Sequence, residues 1–423
     1  MKLTIYADRS VLETDGTTSE FVEGVQTNRA KNRASKIQTA FSDGYLEDLI
    51  STLSDNPASD LSLSDNAKRC LDELVDSVTS EVGRALVGLS VLQAAIKAIE
   101  PEQSIRLHKG GRSSAAFSWT EGLSMRVLDK NYITPTLRRH KLLSLNADGF
   151  MMTRSLAENY PYSKLYKAQL RGARAAWLDL VEGLEDGSID GLEGLTYLLS
   201  RLINKSSDLE ELAEKAIAKA ENLSRTLTAD EIYALVQRYV YRDSYSARLF
   251  EVMLHAAFQV LDEKGQLDGS LKPLSQMRSA NKKHKNVGDV EVETRPGSRL
   301  ILESWDAKFG KSHLREEVEE LYEKLADQPE CFTAGFVTNG APVIDEEIRV
   351  RIAELEDTHG TDLKIPIFDF DMFLEKAIYT RVSKTEFAPQ WLVFFVSSLA
   401  QKRRHIAPID EPCEAWLRRF LAL

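Results

Sequence analysis

Gly288-Asp289-Val290-Glu291-Val292 and, ten residues on, Leu302-Glu303-Ser304-Trp305-Asp306-Ala307-Lys308 are the two stretches whose reading decides the fold. Between them Thr294-Arg295-Pro296-Gly297-Ser298 carries the Pro-Gly dipeptide of a turn. The pattern predicts one strand over 287–293 and a second over 299–309, paired through that turn. Successive strand side chains point to opposite faces. Ser304, Asp306 and Lys308 therefore share one face of the second strand, and Asp289 and Glu291 share one face of the first. Pairing sets Asp289, Asp306 and Lys308 side by side.

Working outward, the preceding residues 245–261 read as a helix with a broad apolar coat of Leu249, Phe250, Val252, Met253, Ala256 and Val260. Glu251 and His255, four apart, lie on one face of it. Gly265, Gly269 and Pro273 end the helix, and a basic loop at 277–285 with Lys282, Lys283 and Lys285 leads into the hairpin. After the hairpin come an amphipathic helix at 312–326 (Leu314, Val318, Leu321, Leu325) and a buried strand at 332–338. A further strand at 364–370 and a helix from Asp371 follow.

Two carboxylates and the Ala307 carbonyl make a hard oxygen donor set suited to Mg2+ or Mn2+. A cation held there polarises a phosphoryl oxygen and lowers the pKa of a bound water. Lys308 can position or help deprotonate the nucleophile and offset charge developing on a phosphate. Glu251 can reach the metal directly or through water, and Glu291 is the alternative ligand to Asp289. Glu303 and Trp305 fall on the other face, so Glu303 is a packing or surface residue. His255 and His284 are read as structural, the usual state of a lone histidine. The plain alternative for the whole hairpin is a set of cross-strand ion pairs without chemistry.

The order helix, hairpin, helix, strand, with an acid in the first strand and acid-x-Lys in the second, resembles the PD-(D/E)XK nuclease superfamily, the restriction-endonuclease-like fold. The resemblance covers residues 243–372, less than half of the chain. It implies an αβββαβ core and places catalytic roles on Glu251, Asp289, Asp306 and Lys308. It implies metal ligation by Glu251, Asp289, Asp306 and Ala307. The sequence departs from the family pattern in having Gly288 rather than Pro before the first acid, and Asp306 rather than the commoner Glu.

The rest of the chain bears on substrate. At 423 residues two or three domains are expected, and 43% hydrophobic residues are ample for large cores. The net charge of -11 does not favour nucleic acid globally, so that partner must be met by a local basic patch. Residues 130–175 supply one: nine Lys and Arg against two acids, a local balance of +7. Within it Thr134-Pro135 starts a short helix bearing Arg138, Arg139 and Lys141. Asn146-Ala147-Asp148-Gly149 is a hairpin signal behind it. This pairing resembles a winged-helix module, and Arg154, Lys164 and Lys167 extend its charge. The alternative is a solvated basic face packed on an acidic neighbour.

Elsewhere, residues 2–8 could start as a strand and the polar stretch to about 35 reads as loop or wrapped surface. Helical spacing runs from Tyr45 to Ile99, with Asp65 as an N-cap. Residues 113–119 and 123–128 read as short strands. Three helices are expected at 177–184, 192–203 and 209–223, the last capped at Ser207.

The expected fold class is thus mixed α+β or α/β. A mostly helical region 1–105, a winged-helix and helical spacer region 106–227, and a nuclease-like region 228–423 are expected. Cys70, Cys331 and Cys413 are far apart, which fits reduced thiols in a cytoplasmic protein. Neither secretion nor membrane insertion is expected. The functional expectation is a Mg2+- or Mn2+-dependent DNA endonuclease of restriction or phage-defence type acting on double-stranded DNA, with a homodimer as a way to cut both strands. The alternatives are a non-catalytic DNA-binding protein on a nuclease-like scaffold and an RNA-directed nuclease.

Overall fold

The computed structural model describes residues 1–14, 16–56, 61–108, 119–143, 145, 149, 156, 161–166, 170, 172–274, 286–359, 362–400 and 411–423. The fold is mixed α+β, as expected. Contacts divide the chain into two compact units, Met1–Leu209 with His405–Glu411, and Glu210–Arg404 with Pro412–Leu423. The sequence boundaries at 105/106 and 227/228 are not where the contacts separate. One hydrophobic core in the first unit runs from Ile37 to Leu202 and so joins the first two regions read from sequence.

The first unit opens with an antiparallel meander, β1 (Lys2–Ile5), β2 (Arg9–Thr14) and β3 (Thr17–Val22), followed by α1 (Asn28–Ser42). The polar stretch read as loop or surface segment is therefore sheet and helix. Its apolar content is low because these strands bury one face only. Leu12 and Phe21 pack with Leu107 and Trp119, residues about a hundred positions away that local patterning does not bring in.

Helices α2 (Tyr45–Asp55), α3 (Asp65–Asp76) and α4 (Glu81–Ile99) match the helical spacing. The N-cap of α3 is Ser64, whose side chain accepts from the Ala67 amide, so Asp65 sits in the first turn instead. By length and composition α4 could cross a membrane, but 83% of its apolar stretch is buried inside the unit, as in a core helix.

Residues 123–128, expected as a strand, form the short helix α5 (Met125–Leu128), which continues through a π-helical turn into α6 (Thr134–Arg139). Leu123 keeps only an isolated bridge to His108. Met125 and Leu128, three apart, are buried in the core of the unit, and that burial favours the helical period over the extended one. The basic helix is present with Pro135 in its first turn. The strands of the expected wing fall mostly outside the described residues, as does the strand expected at 113–119.

Helix α7 (Arg174–Asp186) precedes α8 (Gly191–Thr226), a single helix of 36 residues through which the unit boundary passes. Ser207 is thus interior and caps nothing, because the helical spacing of Leu195, Leu198, Leu199 and Leu202 runs straight on into 209–223. A true cap stands at Thr228, which with Glu231 forms a reciprocal capping box. Ser207→Ala should leave the denaturation midpoint unchanged or slightly raised. Thr228→Ala should cost about 1 kcal/mol. A comparable loss from Ser207→Ala would contradict the continuous helix.

In the second unit α9 (Ala229–Tyr241) and α10 (Ser246–Glu263) lead into a five-stranded sheet ordered β4-β5-β6-β7-β8. Its strands are β4 (Ser270–Leu271), β5 (Val290–Glu293), β6 (Ile301–Lys308), β7 (Thr333–Thr338) and β8 (Ile367–Asp369). β4, β5 and β6 pair antiparallel, and β6, β7 and β8 pair parallel. Parallel neighbours need crossovers, supplied by α11 (Arg315–Leu325) and α12 (Glu346–Thr358). The chain ends in α13 (Phe370–Phe373), α14 (Lys384–Ala400) and α15 (Cys413–Leu421), with α10 packed on α14.

Trp305 anchors β6. It is 2% exposed, stacked on Phe368 at 6.0 Å and edge-on to Phe373 at 5.0 Å. Its Nε1 donates to Glu303 Oε1 at 2.8 Å. Gly335, opposite on β7, leaves room for the ring: a Cβ there would lie 2.4 Å from it. A ring held on three sides cannot give way. Gly335→Ala should therefore destabilise the unit by about 1–3 kcal/mol, with partial recovery in Gly335→Ala/Trp305→Leu. A wild-type melting temperature for the single variant would refute this packing.

Candidate active site

The register of β5 on β6 pairs Glu291 with Ser304 and Val290 with Trp305. Just before β5, the Asp289 amide donates to the Trp305 carbonyl at 2.9 Å, which extends the pairing by one step. Asp289 Oδ2 then accepts from the Ala307 amide at 3.0 Å. Because backbone groups alternate along a strand, the Ala307 carbonyl points to that same edge, past the end of the β5 ladder. Asp306, one step further along the same pairing, projects from the same face as Asp289 and lies against it, and Lys308 Nζ lies 2.9 Å from Asp306 Oδ2. The three residues read from strand alternation are thus brought together.

The electrostatics of this group are strained by burial. The Asp306 side chain is 6% exposed. Its pKa is pushed up to about 7, first by burial and then by the Asp289 carboxylate, with Lys308 and Lys324 pulling the other way. Two facing carboxylates cannot donate to each other, and Asp306 Oδ1 is buried with no hydrogen-bond partner. When Asp306 is protonated it can donate to Asp289, which further favours the neutral form. For Lys308, burial acts downward, but Asp306, Asp289 and Glu317 outweigh it and hold the ammonium above its ordinary value. An orphaned carboxylate oxygen, a second carboxylate and a carbonyl on one edge form a donor set that fits a divalent cation.

The turn presenting Asp289 is held from inside. Glu291, 0% exposed, accepts from the Val287 amide at 2.6 Å and pairs with Lys272, whose Nζ also reaches Asn286 Oδ1 at 3.2 Å. His255 of α10 contacts the Lys272 carbonyl through Nε2 at 3.0 Å and fixes β4. Glu291 is therefore a brace for Asp289. Gly288 has a steric reason: a Cβ would stand 2.6 Å from Ser304 Oγ and 2.8 Å from the Trp305 carbonyl oxygen. Glu303 is buried on the other face and forked by Arg381 at 2.9 and 3.1 Å, a packing role as expected.

Glu251 is placed differently from its two partners. Its carboxylate is ion-paired with Arg248 one turn back on α10. α10 packs toward the Trp305 face, with Phe258 6.2 Å from Phe373, whereas Asp306 faces α11. Among the described residues no group of three or more His, Cys, Asp or Glu stands together to hold a metal, so the carboxylates assembled are Asp289 and Asp306. Two charged residues of α11 that the sequence reading passed over belong here. Lys324 Nζ lies 3.8 Å from Asp306 Oδ2, and Glu317 acts on Lys308 while pairing with Lys311. Their signal was present: Lys324 is three residues after Leu321 on the apolar side of α11, where a charge needs a partner.

The basic residues upstream divide. Arg139 is paired with Glu47, which also takes His140 and Thr136, and Lys164 is paired with Asp179 at 2.9 Å. Part of the +7 balance is thus met by acids from outside the segment. Arg138 is half-buried and Lys141 exposed. Arg154, Lys167, Lys282, Lys283 and Lys285 lie outside the described residues. No family model matches the chain, and no curated protein matches it in sequence.

Proposed function

We propose that the chain is a metal-dependent deoxyribonuclease of restriction-endonuclease-like type, hydrolysing phosphodiester bonds in DNA. The observation that carries the reading is the Asp289–Asp306 carboxylate pair, with Asp306 buried, one of its oxygens orphaned, and Lys308 on the same face. The element order α10, β4, β5, β6, α11, β7 supports it, since this is the αβββαβ order of the PD-(D/E)XK resemblance.

A divalent cation, Mg2+ or Mn2+, would supply Lewis acidity toward the phosphoryl oxygen and a more acidic water. Asp289, Asp306 and the Ala307 carbonyl would hold it. Lys308, kept as an ammonium by its acidic neighbours, contributes positive charge where the phosphate becomes more negative. Glu291 and Lys272 hold Asp289 in place and take no part in the reaction. Arg138, Lys141 and the basic loop before β5 are the groups proposed to meet the DNA backbone.

The test is incubation of the purified chain with supercoiled plasmid and Mg2+ or Mn2+. Nicked or linear product that EDTA prevents is the expected outcome. Binding without any nicking with either cation would replace this reading by a DNA-binding role on the same scaffold. Cleavage of RNA in preference to DNA would change the substrate class.

A further inference from the structure

We propose that Lys324 of α11 is a second substrate-contacting lysine, poised over the carboxylate pair to take a phosphoryl oxygen of the scissile strand; this rests on the nuclease reading above. Helix α11 is strongly acidic, with Glu316, Glu317, Glu319, Glu320 and Glu323. A lysine in its last turn has an ordinary explanation, since a cation there offsets the helix dipole by contacting the final carbonyls. Lys324 does otherwise. Its Nζ donates to the Val287 carbonyl at 3.3 Å, in the turn that presents Asp289, and lies 3.8 Å from Asp306 Oδ2. It therefore spans both halves of the site while its side chain is only 15% exposed.

The distances rank the two lysines. Lys308 makes a close contact with Asp306 at 2.9 Å, and Lys324 a loose one on the same oxygen. Two ammonium groups share one carboxylate, which stabilises the buried Asp306 while no other cation is near. With a divalent cation on that pair, like charges repel, and the loosely held Lys324 is the one with freedom to turn away. An ammonium carries three donors. The acceptor that arrives at this place in the proposed reaction is the phosphate itself.

This arrangement predicts effects of opposite sign, which a purely structural clamp would not give. Lys324 competes with a metal cation for Asp306, so Lys324→Met should bind Mn2+ alone about three- to tenfold tighter, as read by electron paramagnetic resonance. The same variant should bind a duplex oligonucleotide more weakly in Ca2+, with a slope against log salt shallower by about one. Lys324→Arg keeps the charge and should keep the slope. Unchanged Mn2+ affinity and an unchanged salt slope in Lys324→Met would overturn the proposal. Weakening of both ligands together with a lower melting temperature would overturn it too, leaving Lys324 as a clamp on the 286–289 turn. Wild-type protein that neither binds nor cuts DNA would sink the nuclease reading and this inference together. Wild-type cleavage with a Lys324→Met variant indistinguishable from it would sink this inference alone.

Discussion

Asp306→Asn should reduce plasmid cleavage to background while making the metal-free protein more stable at pH 8. The first effect follows from removing a negative donor from the carboxylate pair. The second follows from linkage. In the folded chain Asp306 is pushed up to about 7 from its ordinary value near 3.8, chiefly by burial and by Asp289. The folded state therefore holds that proton more tightly than the unfolded state does. Stability from this group is greatest below about pH 4, declines between about pH 4 and pH 7, and is level above. Asparagine does not titrate, so the difference between variant and wild type should grow across that window and reach roughly 2–4 kcal/mol at pH 8. Mg2+ should reverse the order. It should stabilise the wild type, more at pH 8 than at pH 6, because proton and cation would compete for the same oxygens. It should do little for the variant. Two thermal melts series, with and without Mg2+, measure both signs. Wild-type cleavage by Asp306→Asn, or a stability difference that does not change with pH, would remove Asp306 from the centre of the site.

Lys308→Met should lower the cleavage rate about 10²–10³-fold with duplex binding in Ca2+ reduced by no more than about threefold. The expectation rests on where the ammonium sits. It is 2.9 Å from Asp306, and its acidic neighbours keep it protonated against the opposing effect of burial. A charge held at the reacting group acts on the transition state more than on the bound ground state. Lys308→Arg should retain part of the activity, since the charge survives but the guanidinium is larger and flat. Arrest of binding along with cleavage would make Lys308 a binding residue, and cleavage within about twofold of wild type would remove it from the site.

The two predictions concern residues that sequence alone brought together, and the reason is local. Asp306 and Lys308 share a face because a strand repeats every two residues, and Asp289 joins them because a Pro-Gly turn pairs neighbouring strands. The amphipathic helix and the apolar strand after the hairpin were legible for the same reason, since Leu314, Val318, Leu321 and Leu325 recur at helical spacing. Glu303 was set aside on alternation and is buried against Arg381 and Trp305. Where a reading depended on partners far along the chain, it failed. The first forty residues look polar because Leu12 and Phe21 are buried by Leu107 and Trp119. The segment 123–128 alternates like a strand, yet Leu123, Met125 and Leu128 are buried in a core assembled from 37–202 while Val127 is exposed.

What the sequence by itself determined is the composition of the candidate site: two acids, a lysine and the strand that aligns them. The tertiary structure alone decided which helix lies over that face. α11 covers it and contributes Lys324 and Glu317, while α10, which carries Glu251, lies toward the other face with its acid tied to Arg248. Period-two alternation says which side of a strand a residue takes. It does not say what is packed there, because that is settled by crossovers and by the burial of apolar surface from the whole unit.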